Sequence, residues 1–90
     1  YRHRGTKRSK VMYQSLYNEI SLLKQQAEYN YSPLYIAKMS MNILNEYSNE
    51  IIAEDRDKFI SLIAMDMGEE FEYSQDECIK VLSEILKNYN

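Results

Sequence analysis

The sequence predicts an all-α protein, a small helical bundle built from a single domain. Ninety residues are too few for two separate hydrophobic cores. Only two Gly and one Pro are present, and a many-stranded β protein needs more turn residues than that. Apolar residues recur at spacings of three and four over most of the chain, which is the period of an amphipathic helix.

The first predicted helix runs from about Ser9 to Glu28. Its apolar residues alternate at spacings of three and four and form one stripe: Tyr13, Leu16, Ile20, Leu23 and Ala27. The helix is expected to end before residues 30–33, because Ser32 suits an N-cap and Pro33 suits the first position of the next helix.

The second predicted helix runs from Pro33 to about Tyr47 and is apolar on more than one side. Residues 48–49 either end it or lie inside a helix that continues through Ile51 and Ile52. A helix with this pattern is usually packed between others. Met39 and Met41 cannot share one helical face, so at least one side of this helix is expected to look outward.

The third predicted helix begins near Asp55, a candidate N-cap, and ends at Gly68. Glycine adopts the left-handed conformation that commonly ends a helix. Residues 59–64 make this the most apolar helix, so we expect it to be the central one.

The fourth predicted helix has the clearest local signature in the chain. Ser74 and Glu77 form a capping box, in which the hydroxyl accepts from the N–H of Glu77 and the carboxylate accepts from the N–H of Ser74. Tyr73 and Cys78 occupy the hydrophobic-staple positions beside it. The predicted buried side consists of Cys78, Ile79, Val81, Leu82, Ile85 and Leu86.

The net charge of −3 hides an uneven distribution. Residues 1–10 contain five basic residues and no acid, so the remaining eighty residues hold −8. We therefore divide the chain into a basic arm, or the end of an upstream helix, over residues 1–10 and a helical domain over 11–90. The fourth helix begins with Asp76 and Glu77, which DNA would repel, so no specific nucleic-acid partner is expected.

Few residues suit catalysis or metal binding. His3 is the single histidine and lies in the basic arm, while Cys78, the single cysteine, lies on a predicted buried face without bases beside it. The acidic residues between Asp66 and Glu77 lack the ligand order of a calcium loop. We expect a non-enzymatic protein with no cofactor, no metal and no membrane span; the single cysteine suits a cytoplasmic location.

Nine Tyr and five Met favour a protein-binding surface. Methionine is adaptable and tyrosine is amphipathic, and both are enriched where proteins bind each other.

Four segments resemble the poxviral Bcl-like immunomodulators, which are intracellular virulence proteins with a helical B-cell-lymphoma-type fold. The segments are residues 2–5 (RHRG), 13–20 (YQSLYNEI), 59–68 (FISLIAMDMG) and 78–86 (CIKVLSEIL). The first two resemble the end of the family's first helix and the start of its second. The others resemble its central apolar helix with the exit glycine, and the amphipathic helix that follows.

The resemblance implies a shortened Bcl-like fold and a protein that inhibits host innate signalling or apoptosis by binding a host protein in the cytoplasm. It also implies self-association, for example as a homodimer. The alternative is a small bacterial or phage helical protein with a regulatory or immunity function. Under the viral interpretation, most of the family's first helix would lie upstream of Tyr1, and the chain would be a truncated domain or a short member. The helix flank left uncovered would then bind a protein through Tyr13, Leu16, Tyr17 and Ile20.

Overall fold

A computed structural model describes the backbone of residues 2–89 and the side chains of residues 15–89. Four α-helices make up most of it, namely α1 (Arg2–Tyr29), α2 (Pro33–Glu46), α3 (Ala53–Ile63) and α4 (Gln75–Lys87). Two short 3₁₀ turns, Ala64–Met67 and Glu69–Phe71, join α3 to α4. The described residues contain no strand, and the predicted all-α bundle is confirmed.

The helices pack mainly in two pairs, α1 with α4 and α2 with α3, and α1 also contacts α2. The side-chain nitrogen Nε2 of Gln75, at the start of α4, donates to the carbonyls of Ala27 and Glu28 at 2.9 and 3.1 Å. The start of α4 therefore meets the end of α1, and it satisfies carbonyls that a helix end leaves without partners.

Each helix contributes one stripe to the core. On α1 the predicted stripe is confirmed from Leu16 onward, while the side chain of Tyr13 lies outside the described part. The fully or almost fully buried apolar residues are Leu16, Ile20, Leu23, Ala27, Ile36, Ala37, Ile43, Ile51, Phe59, Leu62, Met65, Cys78, Leu82, Ile85 and Tyr89.

The first two helices begin and end close to the predicted positions, with one exception. Helix α1 starts at Arg2 instead of Ser9, so the basic segment continues directly into the helix. Ser32 caps α2 by accepting from the N–H of Tyr35, and Pro33 occupies the first turn, as predicted. Helix α2 ends at Glu46, so it does not run on through Ile51.

Two predictions for the third helix are wrong. Helix α3 starts at Ala53 with Ile52 as its N-cap, so Asp55 lies inside the first turn and is buried instead of capping. The helix is also not central: it packs mainly on α2, and Ile60 is 51% exposed. In a bundle this small each helix covers only its neighbours, so an apolar sequence does not place a helix in the middle.

Gly68 ends the helical path, but by a different conformation from the predicted one. The α-helix stops at Ile63 and tightens into the 3₁₀ turn Ala64–Met67 before Gly68. The glycine has φ 152° and ψ 163°, which is not the left-handed helical cap. L side chains rarely adopt this φ, so the turn favours glycine; the atom nearest to an added Cβ, Oε1 of Glu70 at 2.8 Å, belongs to a flexible side chain that can move away.

The predicted capping box of α4 is confirmed. The hydroxyl of Ser74 accepts from the N–H of Glu77 at 3.2 Å, and Oε1 of Glu77 accepts from the N–H of Ser74 at 3.0 Å. No helix in the described part of the chain is both long enough and apolar enough to cross a membrane.

Candidate protein-binding surface

The four predicted contact residues on α1 have different environments. Leu16 and Ile20 are fully buried inside the bundle, so they offer no surface to a partner while the chain is folded. Tyr17 is half-buried at the edge of the same core. The side chain of Tyr13 lies outside the described residues. Binding of a protein through this part of α1 stays a prediction. Of the four residues, Tyr17 is the one whose side chain is described and partly exposed.

Large apolar side chains are exposed along the outer side of α2 and α3. We define the α2–α3 patch by Leu34 and Met41 of α2, Ile60 and Ile63 of α3, and Met67 of the following 3₁₀ turn. Leu34, Met41, Ile60 and Met67 are exposed, and Ile63 is half-buried. Between the two helices lies a shallow groove of about 380 Å³, whose lining includes Lys38 and Asp66 beside the apolar members.

A second groove, of about 390 Å³, lies between α1 and α2. Its apolar lining consists of Leu22, Leu23, Tyr29, Tyr35, Met39 and Ile43. Its polar lining consists of Glu19, Gln25 and Gln26. We call this the α1–α2 groove. Met39 lines the α1–α2 groove and Met41 lines the groove between α2 and α3, so α2 has a methionine on each side. Met41 is exposed, which confirms the prediction that one side of α2 faces outward.

Tyr47 lies near three carboxylates, one of which, Glu19, also lines the α1–α2 groove. Burial raises the pKa of the half-buried Tyr47, and the nearby carboxylates of Glu46, Glu19 and Glu50 raise it further. The ion pairs found among the described side chains involve other residues, namely Lys24 with Glu28, and Lys58 with Glu54 and Asp55. Among the described side chains, the carboxylates of Glu19, Glu46 and Glu50 form no ion pair.

Tyr31, Met65 and Cys78 form a cluster of polar and sulfur-containing side chains. The hydroxyl of Tyr31 donates to the carbonyl of Tyr73, and Sδ of Met65 lies 3.6 Å from the same hydroxyl. Burial raises the pKa of Tyr31 to about 12. Burial also raises the pKa of the Cys78 thiol to about 11, although the neighbouring Tyr31 hydroxyl opposes the shift. The thiol is therefore neutral near pH 7, which suits packing and not nucleophilic attack.

The acidic residues between Asp66 and Glu77 do not converge on one point. No cluster of three or more potential metal ligands occurs among the described His, Cys, Asp and Glu side chains. Asp76 and Glu77 lie in the first turn of α4, where the positive end of the helix dipole stabilises carboxylates.

No protein-family model, curated protein or solved structure matches this chain. The sequence signal for the two surfaces was limited to the methionines of α2. Leu34 and Ile60 have the helical spacing of core residues, and only the packing of the helices leaves them outside.

Proposed function

We propose that this chain is a non-enzymatic protein-binding module whose partner covers the α2–α3 patch. One observation carries the proposal: Leu34 and Met41, which line a groove with Ile63, are 61% and 47% exposed, and Ile60 and Met67, about one helical turn before and after Ile63, are 51% and 73% exposed. Large apolar side chains grouped on the surface of a small domain commonly mark a protein-binding site. Methionines at two of these positions would let the surface adapt to the shape of the partner.

The resemblance to the poxviral Bcl-like immunomodulators supplies the specific form of the proposal. The partner is then a host protein of inflammatory, interferon or cell-death signalling. The chain inhibits it in the host cytoplasm by occupying its surface, and no reaction is catalysed. The buried, neutral thiol of Cys78 is consistent with this mode of action.

The test compares two leucines that differ only in which surface they belong to. Leu34 is 61% exposed on the α2–α3 patch, and Leu22 is 60% exposed on the α1–α2 groove. Wild type, Leu34→Ser and Leu22→Ser are expressed in host cells that carry reporters of inflammatory signalling, interferon signalling and apoptosis. Co-purifying proteins are identified from the same cells.

We expect wild type and Leu22→Ser to inhibit one reporter and to retain the same bound protein, and Leu34→Ser to lose both. Full inhibition by Leu34→Ser would contradict a partner on the α2–α3 patch. If wild type affects no reporter and retains no host protein, the viral form of the proposal is wrong, and a bacterial or phage regulatory function becomes the better interpretation.

A further inference from the structure

The α1–α2 groove has the features of a site for a basic segment. Tyr29 is 84% exposed and Tyr35 is 44% exposed at one end, and aromatic faces of this kind attract guanidinium and ammonium groups. Glu19 also lines the groove, and Glu19, Glu46 and Glu50 all lie close enough to Tyr47 to raise its pKa. The floor formed by Leu22, Leu23 and Met39 suits the aliphatic stems of Arg and Lys.

The chain itself contains a segment of the complementary chemistry. Residues 1–10 hold Arg2, Arg4, Lys7, Arg8 and Lys10 and no acid. As a helix, ten residues extend about 15 Å, and most of the α1 residues that line the groove, from Glu19 to Gln26, lie within that length. Helix α1 is continuous from Arg2 to Tyr29, so this segment cannot fold back onto the groove of its own chain.

We propose that the α1–α2 groove receives the basic segment, residues 1–10, of a second copy of this chain. The arrangement is reciprocal: two α1 helices cross antiparallel near Tyr13 and Gln14, and each copy covers the groove of the other. This register brings Arg8 of one copy opposite Glu19 of the other. Such a two-fold contact closes on itself and yields a dimer instead of a filament.

Charge complementarity also sets how the dimer responds to salt. The basic segment carries +5 and meets a body of net −8. Contacts between exposed charges are screened at high ionic strength. The dimer therefore dissociates as salt is added. This proposal is independent of a host partner on the α2–α3 patch, because it concerns a different face and is read out by sedimentation of the purified chain.

The experiment is sedimentation velocity of the full chain over a concentration series, at low and at high ionic strength. The variants are Glu19→Lys and Arg8→Glu, each of which creates like charges across the contact. Each is expected to weaken the dimer by about tenfold or more. The matched controls are Glu84→Lys and Lys80→Glu, which make the same charge changes at exposed positions of α4 and leave the dimer intact.

Mixing the two weakened variants provides the decisive measurement. Lys at position 19 of one chain then faces Glu at position 8 of the other, and the second contact keeps the native Arg8 and Glu19. We expect the mixture to dimerise although neither variant does so alone. Circular dichroism of each variant verifies that the bundle is folded; a variant that fails to fold is replaced by Glu19→Gln or Arg8→Gln, each expected to weaken the dimer less than charge reversal.

Three results would overturn the proposal. The first is a wild-type monomer at all soluble concentrations at low ionic strength. The second is a dimer that the control substitutions weaken as much as Glu19→Lys does. The third is a mixture of folded Glu19→Lys and Arg8→Glu chains that remains monomeric, since two-fold pairing in this register requires it to associate.

Discussion

The side-chain amide of Asn88 donates to both carboxylate oxygens of Asp55, at 3.0 and 3.1 Å. Asp55 is fully buried in the first turn of α3, and Asn88 is the residue that ends α4. Nζ of Lys58 lies 4.0 Å from the same carboxylate. The pair thus joins the start of one helix to the end of another across 33 residues, and it supplies hydrogen bonds that a buried carboxylate requires.

The replacement Asn88→Ala is expected to destabilise the fold by about 1–3 kcal/mol, because it removes hydrogen-bond donors from a buried charged group. Urea unfolding measures the change. Asn45→Ala, at an exposed position of α2, is the control and should have a much smaller effect. Equal effects of the two substitutions would mean that the contact with Asp55 contributes nothing.

The replacement Ser74→Ala should cost about 1 kcal/mol through loss of the hydroxyl that caps α4. Thermal unfolding followed by circular dichroism measures it. Ser48→Ala is the control, because Ser48 lies in an exposed turn where its backbone carbonyl, and not its hydroxyl, accepts from Arg56. An unchanged melting midpoint for Ser74→Ala would contradict a stabilising role of the Ser74–Glu77 capping box.

The replacement Ser40→Ala should stabilise the protein by about 0.5 kcal/mol, although Ser40 is completely buried. Its hydroxyl has no hydrogen-bond partner among the described residues, and alanine is the better helix former. Equilibrium unfolding of wild type and variant shows directly whether the free energy of unfolding rises or falls. Destabilisation would reveal a hydrogen bond to the hydroxyl that the described contacts do not include.

The buried thiol of Cys78 predicts a loss of stability at alkaline pH. Its pKa is raised from 9.0 to about 11 in the folded chain, so between these values the unfolded thiol loses its proton while the folded one keeps it. The unfolded state then binds fewer protons, and stability falls as pH rises through this range. Tyr31, raised from 10.0 to about 12, acts in the same direction at higher pH.

The free energy of unfolding, measured between pH 8 and pH 12, tests this fall of stability with pH. Cys78→Val is the comparison, because valine has no proton to lose. We expect the decline between about pH 9 and 11 to be shallower in the variant. The native thiol should also react with a disulfide reagent far more slowly than the unfolded chain. Parallel pH profiles for wild type and variant would show that the thiol does not ionise differently in the two states.

Replacement by alanine should have different effects on stability and self-association at two neighbouring positions of α1, Leu16 and Tyr17. Leu16→Ala is expected to cost about 2–5 kcal/mol, because Leu16 is completely buried in the core. Tyr17→Ala should retain the helical circular-dichroism signal while weakening self-association, as expected of a tyrosine at an interface. Sedimentation and circular dichroism together decide the matter; loss of all helical signal in Tyr17→Ala would assign Tyr17 to the core alone.

The helix starts at Pro33 and Gln75 and the buried stripe of α1 from Leu16 onward could be predicted from the sequence by itself. The reason is that caps and amphipathic periods act over a few residues: Ser74 and Glu77 are three residues apart, and Leu16 and Ile20 are four apart. Such short-range relations hold wherever the helix is placed in the bundle. For α4 the predicted buried side was too wide: Cys78, Leu82 and Ile85 are buried, whereas Ile79, Val81 and Leu86 are only partly buried.

Only the tertiary structure decided which apolar residues remain outside and which polar ones are buried. Ile60 and Leu34 have the spacing of core positions but are exposed, because no other helix in the described chain covers that side of α2 and α3. Asp55 looked like a helix cap, yet it is buried because Asn88, 33 residues away, comes back to bind it. These outcomes depend on contacts between distant segments, which spacing along the chain does not encode.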